Sequence, residues 1–221
     1  MVFAIQIKKE MIMDKILKKI IWVSILAPAA YLAIAWKGLP EKVAMHYDLK
    51  GNADRYGNKN ELLVMLLILT AVNVLVFLLL TNAYRIDPKK NAGENKSRFS
   101  RIAFAVSVFI AAVLCLIIYS STHPAIKLNA SFVLAGIGLL FAFIGNYMYN
   151  IKPNYFAGIR LPWTLENEDN WKKTHLLAGK LWFAGGLLLA VLCLFTPTGG
   201  FYYCFLFSDK YYYNNTLHLF L

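Results

Sequence analysis

The sequence predicts an all-α, polytopic membrane bundle, and three observations carry that prediction. Hydrophobic residues make up 59% of the chain and charged residues 16%, against about 45–50% and about 25% in an average soluble domain. The apolar residues are gathered into five long runs, and those runs are spread over all 221 residues rather than confined to one end. At roughly one domain in length, such a chain is a single helical bundle and not a soluble domain with one anchor.

The runs are Ile20–Trp36, Leu62–Leu80, Ile102–Ser120, Ala130–Tyr149 and Leu176–Phe195. Crossing about 30 Å of hydrocarbon at about 1.5 Å per helical residue takes about 20 residues, so each run is long enough to span. Backbone amides in lipid must be satisfied within their own segment, and the alternation of barrel strands is missing; a β-barrel is rejected. The first run is the shortest and contains Pro28, which predicts a kink in the helix rather than its end. Lys8, Lys9, Lys15, Lys18 and Lys19 precede it as the n-region of a secretory signal would. The run is longer than a signal's apolar region, however, and no small-x-small cleavage site follows, so it reads as a retained first helix. Met11 and Met13 are alternative translation starts just upstream of "DKILKKIIW".

Four regions follow: a basic N-terminus over 1–19, two spans with an outer loop over 20–84, a membrane domain over 85–195 that contains a polar insert at 150–175, and an atypical tail over 196–221. Lys and Arg number 16 on the side of the N-terminus and the insert and 7 on the other. The positive-inside rule therefore predicts a multi-pass membrane protein with a cytoplasmic N-terminus and a cytoplasmic insert. The net charge of +11 fits attraction to the anionic bilayer surface and does not require direct binding of nucleic acid. In the tail, Phe201–Phe207 is apolar for only seven residues, too few to span. It reads as an interfacial segment, a disordered end, or a sixth helix truncated by a frameshift. Cys115, Cys193 and Cys204 lack CxxC spacing and sit in apolar surroundings, which suits packing residues.

Excluding Cys and Tyr, the spans hold one ionisable residue, Lys180, placed where it snorkels to the surface. That disfavours an ion-coupled transporter. Asn73 and Asn146 suit interhelical hydrogen bonds, worth about 0.6 kcal/mol each on average. Gly138, Ala142 and Gly145 in the fourth run, with Gly179, Gly186 and Ala190 in the fifth, predict close packing of the two helices that flank the insert. HExxH, GxSxG and GxxxxGK[ST] signatures are absent, so the usual spacings for metal, serine or nucleotide chemistry give an enzyme no support, and no cofactor is expected.

The outer loop contains Pro40, His46, Asp48, Asn52, Asp54 and Glu61. It fails the calcium-loop template, since Lys50 takes a ligand position when counting starts at Asp48, and Leu63 replaces the closing Glu when counting starts at Asn52. His46 with its neighbouring carboxylates is a weak metal signal beside the plainer reading of a hydrogen-bonded turn, in which Gly51 and Gly57 suit positive-φ positions. No metal is expected.

The insert "PNYFAGIRLPWTLENEDNWKKTH" (Pro153 to His175) carries more. Pro153 and Pro162 restrict the backbone and Gly158 frees it. Asn167 suits an N-cap, with Glu168 and Asp169 in the first turn of a helix that continues into the fifth span. Trp171, His175, Gly179 and Trp182 then share one face of that helix. Trp163, Trp171 and Trp182 serve equally as an interfacial aromatic belt or as a binding surface. Arg160, between Gly158 and Pro162, is a recognition group for carboxylate, phosphate, peptide or a lipid headgroup.

"NYFAGIRLPWTL" followed by "W..TH...GKLW", with "LP..V..HYDL.G..DRYG.K" in the outer loop, resembles the SdpI family of bacterial membrane immunity and signalling proteins over roughly 20–189. Its motif falls here on Asn154, Tyr155, Gly158, Ile159, Arg160, Pro162, Trp163, Thr164, Trp171, Thr174, His175 and Gly179. Leu161 stands where the family usually has Thr, and the family's sixth span is not recognisable. The resemblance implies a non-enzymatic protein that protects against a secreted, membrane-active peptide toxin met on the outer side, and that holds a transcriptional repressor at the membrane. An envelope-regulatory role with another ligand, and a membrane enzyme or small transporter using Arg160, His175 and His46, are the alternatives.

Overall fold

The computed structural model describes residues 2–48, 51–88, 92–123 and 130–195, with side chains from Ile12 onward except at Asp14 and Ala92. The expectations for Cys204 and for a truncated sixth helix lie outside the described residues. Within them the chain is a helical bundle with one small hairpin. Five helices are long and apolar enough to cross a membrane.

Helix α1 (Val2–Ala35) is longer than its apolar run, starting well upstream of Ile20 and continuing through Pro28. The outer loop then forms a hairpin of β1 (Lys42–Tyr47) and β2 (Ala53–Asn58), pairing Lys42 with Asn58 and Tyr47 with Ala53. Nothing in the sequence marks strands there, because six-residue strands broken by an irregularity at His46 show too little alternation. Gly51 has φ +77° at the turn, as expected, but Gly57 does not have positive φ. Gly57 lies in β2, where a Cβ would come 2.7 Å from a Glu61 carboxylate oxygen; its role is to admit that side chain. Glu61 and Asn58 cap α2 (Lys59–Ile86) reciprocally: Asn58 Oδ1 accepts from the Glu61 amide at 2.9 Å, and Glu61 Oε1 from the Asn58 amide at 3.3 Å.

A 3₁₀ turn at Ala92–Asn95 leads into α3 (Lys96–Thr122), followed by α4 (Ala130–Met148), the short α5 (Pro162–Glu166) and α6 (Glu168–Phe195). Three clusters hold the bundle. Ile21, Ile25, Phe77 and Ala103 join α1, α2 and α3. At one end Leu39 and Val43 of the hairpin region pack on Leu62, Leu66 and Ile118. At the other, Ala83, Phe99 and Ile102 meet Ile151 and Trp171 of the insert region. The hairpin and the insert thus occupy opposite ends of α2 and α3.

The expected small-residue seam joins α4 and α6. A Cβ on Gly138 would lie 2.6 Å from the Gly186 carbonyl oxygen, and one on Gly145 2.6 Å from the Phe183 amide nitrogen. Only glycine admits such backbone approach. Asn73, 1% exposed, donates across helices to the Ser107 carbonyl at 3.2 Å. Asn146 makes no such bond among the described residues; it is exposed in the wall of a cleft. Cys193 is buried, Cys115 is half-buried, and both are free thiols. The outward faces carry large apolar groups such as Ile34, 82% exposed, and Leu181, 62% exposed, which is the pattern of a bundle whose solvent is lipid.

Candidate functional site: the loop clamped on helix α6

The segment between α4 and α6 is wound around polar side chains that satisfy its backbone. Asn154 is fully buried; its Oδ1 accepts from the amides of Phe156 (2.9 Å) and Ala157 (2.7 Å), and its Nδ2 donates to the Lys152 carbonyl (3.0 Å). Asn95, also fully buried, grips the same residue from the α2–α3 link, donating to the Lys152 carbonyl and accepting from its amide, both at 2.9 Å. Asp87 accepts from the Tyr155 amide at 3.1 Å. Two separate segments of chain are latched together by these bonds. Asn95 and Asp87 were missed in the sequence, where nothing links them to residues more than fifty positions away.

Trp171 and His175 form the second wall. They lie one turn apart on α6, both buried, with rings stacked at 4.0 Å between centroids. Trp171 Nε1 donates to the Ile151 carbonyl at 2.8 Å. His175 Nε2 lies 2.9 Å from the Ile159 amide nitrogen and accepts its hydrogen, which leaves the proton on Nδ1, 2.8 Å from the Trp171 carbonyl that receives it. Both ring nitrogens are occupied by backbone, so His175 is a neutral clamp. Above this pair sits Gly158 at φ +108°, where a Cβ would strike His175 Nε2 and lie 3.2 Å from the Trp171 ring. Thr164 completes the winding: its buried hydroxyl accepts from the Leu161 amide at 2.9 Å and lies 2.8 Å from the Ile159 carbonyl. Asn167 caps α6 as expected, accepting from the amides of Asp169 and Asn170 at 2.9 and 3.0 Å. Gly179 lets α6 meet the end of α4, a Cβ there falling 2.9 Å from the Tyr149 amide nitrogen.

The motif residues therefore divide by direction. Asn154, Gly158, Thr164, Trp171, His175 and Gly179 build the loop. Tyr155, Arg160, Pro162 and Trp163, with Phe156, are displayed: Trp163 is 57% exposed, and Arg160 is exposed with one nitrogen donating to the Tyr155 carbonyl at 2.6 Å. Thr174 is half-buried. An exposed guanidinium tethered by one nitrogen, on a segment that also exposes Tyr155, Phe156 and Trp163, suits recognition of an anionic or peptide partner. Asn154→Ala leaves two amides without their acceptor, so we expect a loss of about 1–3 kcal/mol, measured by thermal unfolding in detergent and by faster proteolysis within 150–167.

At the other end of the bundle the outer-loop residues form a local network. His46 Nδ1 and Asp54 Oδ1 lie 2.7 Å apart across the hairpin, and Asp48 accepts from the Asn52 amide at 2.8 Å. Pro40 sits at the approach to β1, exposed. Among the described residues no three His, Cys, Asp or Glu side chains converge as a metal site.

Residues 150–210 match the family model of the SdpI/YfhL protein family. Over that segment the chain is similar to the SdpI/YfhL family. A second match, over residues 23–70, is to a domain of unknown function, DUF1648, and covers the hairpin with parts of α1 and α2. Immunity protein SdpI of Bacillus subtilis (strain 168) is 38% identical over 61 residues, which is 28% of this chain and 30% of that protein. The match thus spans under a third of the relative's own length. No solved structure matches. In the SdpI segment the clamp of Asn154, Gly158, Trp171 and His175 is the structural core, and Arg160 with Trp163 is its displayed edge.

Proposed function

We propose that this chain is an immunity-type membrane protein that protects against a secreted, membrane-active peptide toxin without catalysing a reaction. The single observation that supports this most is the SdpI segment itself, a loop locked from inside by six motif residues so that Arg160, Trp163 and Tyr155 face outward at the end of the spans. In this reading the hairpin and outer ends of the helices meet the toxin. The locked loop lies on the cytoplasmic side, as the distribution of Lys and Arg suggests, and its displayed edge holds a protein partner such as a transcriptional repressor. His175, which an enzymatic reading would make a base, has both nitrogens committed to backbone.

Expression in a toxin-sensitive strain tests the reading. Survival of cells challenged with a panel of membrane-active peptides is expected to rise at least for one peptide. Equal killing with and without the protein across the panel, at verified membrane levels, would contradict it.

A further inference from the structure

We propose that the cleft between the start of α3 and the end of α4 binds the phosphate group of an anionic phospholipid. The cleft has a volume of about 400 Å³, and its lining includes Glu94, Ser97, Arg98 and Arg101 from the α3 side and Asn146 and Tyr147 from the α4 side. Arg98 and Arg101 are three residues apart and so share one face of α3, both half-buried. Each guanidinium spends one nitrogen on the protein. Arg98 Nη1 donates to the Glu94 carbonyl at 2.7 Å, and Arg101 Nη1 to the Tyr147 hydroxyl at 3.3 Å, with the Arg101 guanidinium 5.7 Å from the centre of that ring.

These bonds fix the two forks without neutralising them. Neither guanidinium has a carboxylate partner among the described residues; the acidic group of the wall, Glu94, lies 3.7 Å from Lys152 Nζ. Ser97, Asn146, Asn150 and Tyr149 bring further hydrogen-bonding groups to the same space. Two fixed cationic forks with neutral donors around them match a tetrahedral oxyanion, for which planar guanidinium groups are suited.

Position selects the lipid as the source of that oxyanion. The lining residues belong to the 3₁₀ turn before α3, the first turns of α3, and the last turn of α4 or the residues just beyond it, the level at which a spanning helix leaves hydrocarbon and meets headgroups. The cleft lies at the same end as the clamped loop, since Glu94 and Asn95 both reach Lys152, so a bound headgroup would brace the loop's attachment.

The test uses the full chain purified in a neutral detergent, with binding read by thermal shift and by retention of lipid in intact-protein mass spectrometry. Phosphatidylglycerol is expected to be retained and to stabilise the protein well above phosphatidylcholine at equal mole fraction. Arg98→Gln with Arg101→Gln is expected to weaken phosphatidylglycerol binding by roughly 10- to 30-fold, and Arg85→Gln, at the same end but outside the cleft, to leave it unchanged. No preference for phosphatidylglycerol in the wild type, or an undiminished preference in the double variant, would overturn the proposal. Should the double variant fail to fold, the wild-type comparison and Arg101→Lys alone still decide it: loss of the preference in that single variant supports the site, and full retention counts against it. Inorganic phosphate at millimolar concentration is expected to compete weakly; if it alone reproduces the full shift, the site takes soluble phosphate and the lipid assignment is wrong.

Discussion

Gly186→Leu is expected to abolish the α4–α6 pairing and with it the stable protein, and even Gly186→Ala is expected to cost about 1–3 kcal/mol. The reason lies in what surrounds that position. A Cβ on Gly186 would sit 2.5 Å from both the Ala142 amide nitrogen and the Gly138 carbonyl oxygen. These are backbone atoms in a facing helix and cannot rotate away as the end of a flexible side chain would. In lipid, helices gain little from hydrophobic burial and associate through such close approach, so widening the gap at Gly186 also loosens the contacts at Gly138, Gly145 and Gly179. The neighbouring Gly185 is the control, since nothing lies within 4 Å of the Cβ that alanine would add. Gly185→Ala should be neutral or stabilise by up to about 1 kcal/mol, because glycine weakens a helix interior. Thermal unfolding in detergent and the amount of protein in washed membranes measure both variants, and equal stability of Gly186→Ala and Gly185→Ala would sink the account of the seam.

Gly158→Ala is expected to open the loop while leaving the spans inserted. Its φ of +108° is a conformation that costs a side-chain-bearing residue about 1–3 kcal/mol. The added Cβ would also strike His175 Nε2, the atom that accepts from Ile159. Strain and collision act on one bond, so the loop has no relaxed state that keeps the clamp. Faster protease cleavage within 150–167, with unchanged membrane abundance, is the expected outcome. Wild-type resistance in this variant would mean that His175 and Gly158 do not hold the loop. His175→Phe, which keeps the ring but removes the acceptor, is expected to give a weaker version of the same phenotype.

Much of this architecture could be read from the sequence because it follows from composition and from helix periodicity. Run length located the helices, small residues at helical spacing located the seam, and Asn167 ahead of Glu168 and Asp169 located the start of α6. The hairpin is not legible because its strands are short and irregular at His46, and Gly57, whose residue type suits a turn, instead makes room for Glu61. The latch was not read for a different reason. Asn95 and Asp87 look like ordinary residues of a polar link, and their meaning comes from contacts 57 and 68 positions distant, which no local pattern reports. Helical spacing puts His175 on one face with Trp171, but only the geometry shows that both its nitrogens are spent on backbone. That division of the motif into an interior that builds and an edge that is displayed is what narrows the functional question to Arg160 and Trp163.

The most direct measurement is therefore survival under toxin challenge of cells that express the wild-type protein, Arg160→Ala or Trp163→Ala at matched membrane levels. The account predicts that the wild type protects, and that both variants insert and resist loop proteolysis as the wild type does. It also predicts that they lose most of the induction of a toxin-responsive reporter, the response that depends on a partner held at the displayed edge. No protection by the wild type, or full induction by both variants, which would show that the displayed edge is idle, would contradict the central claim.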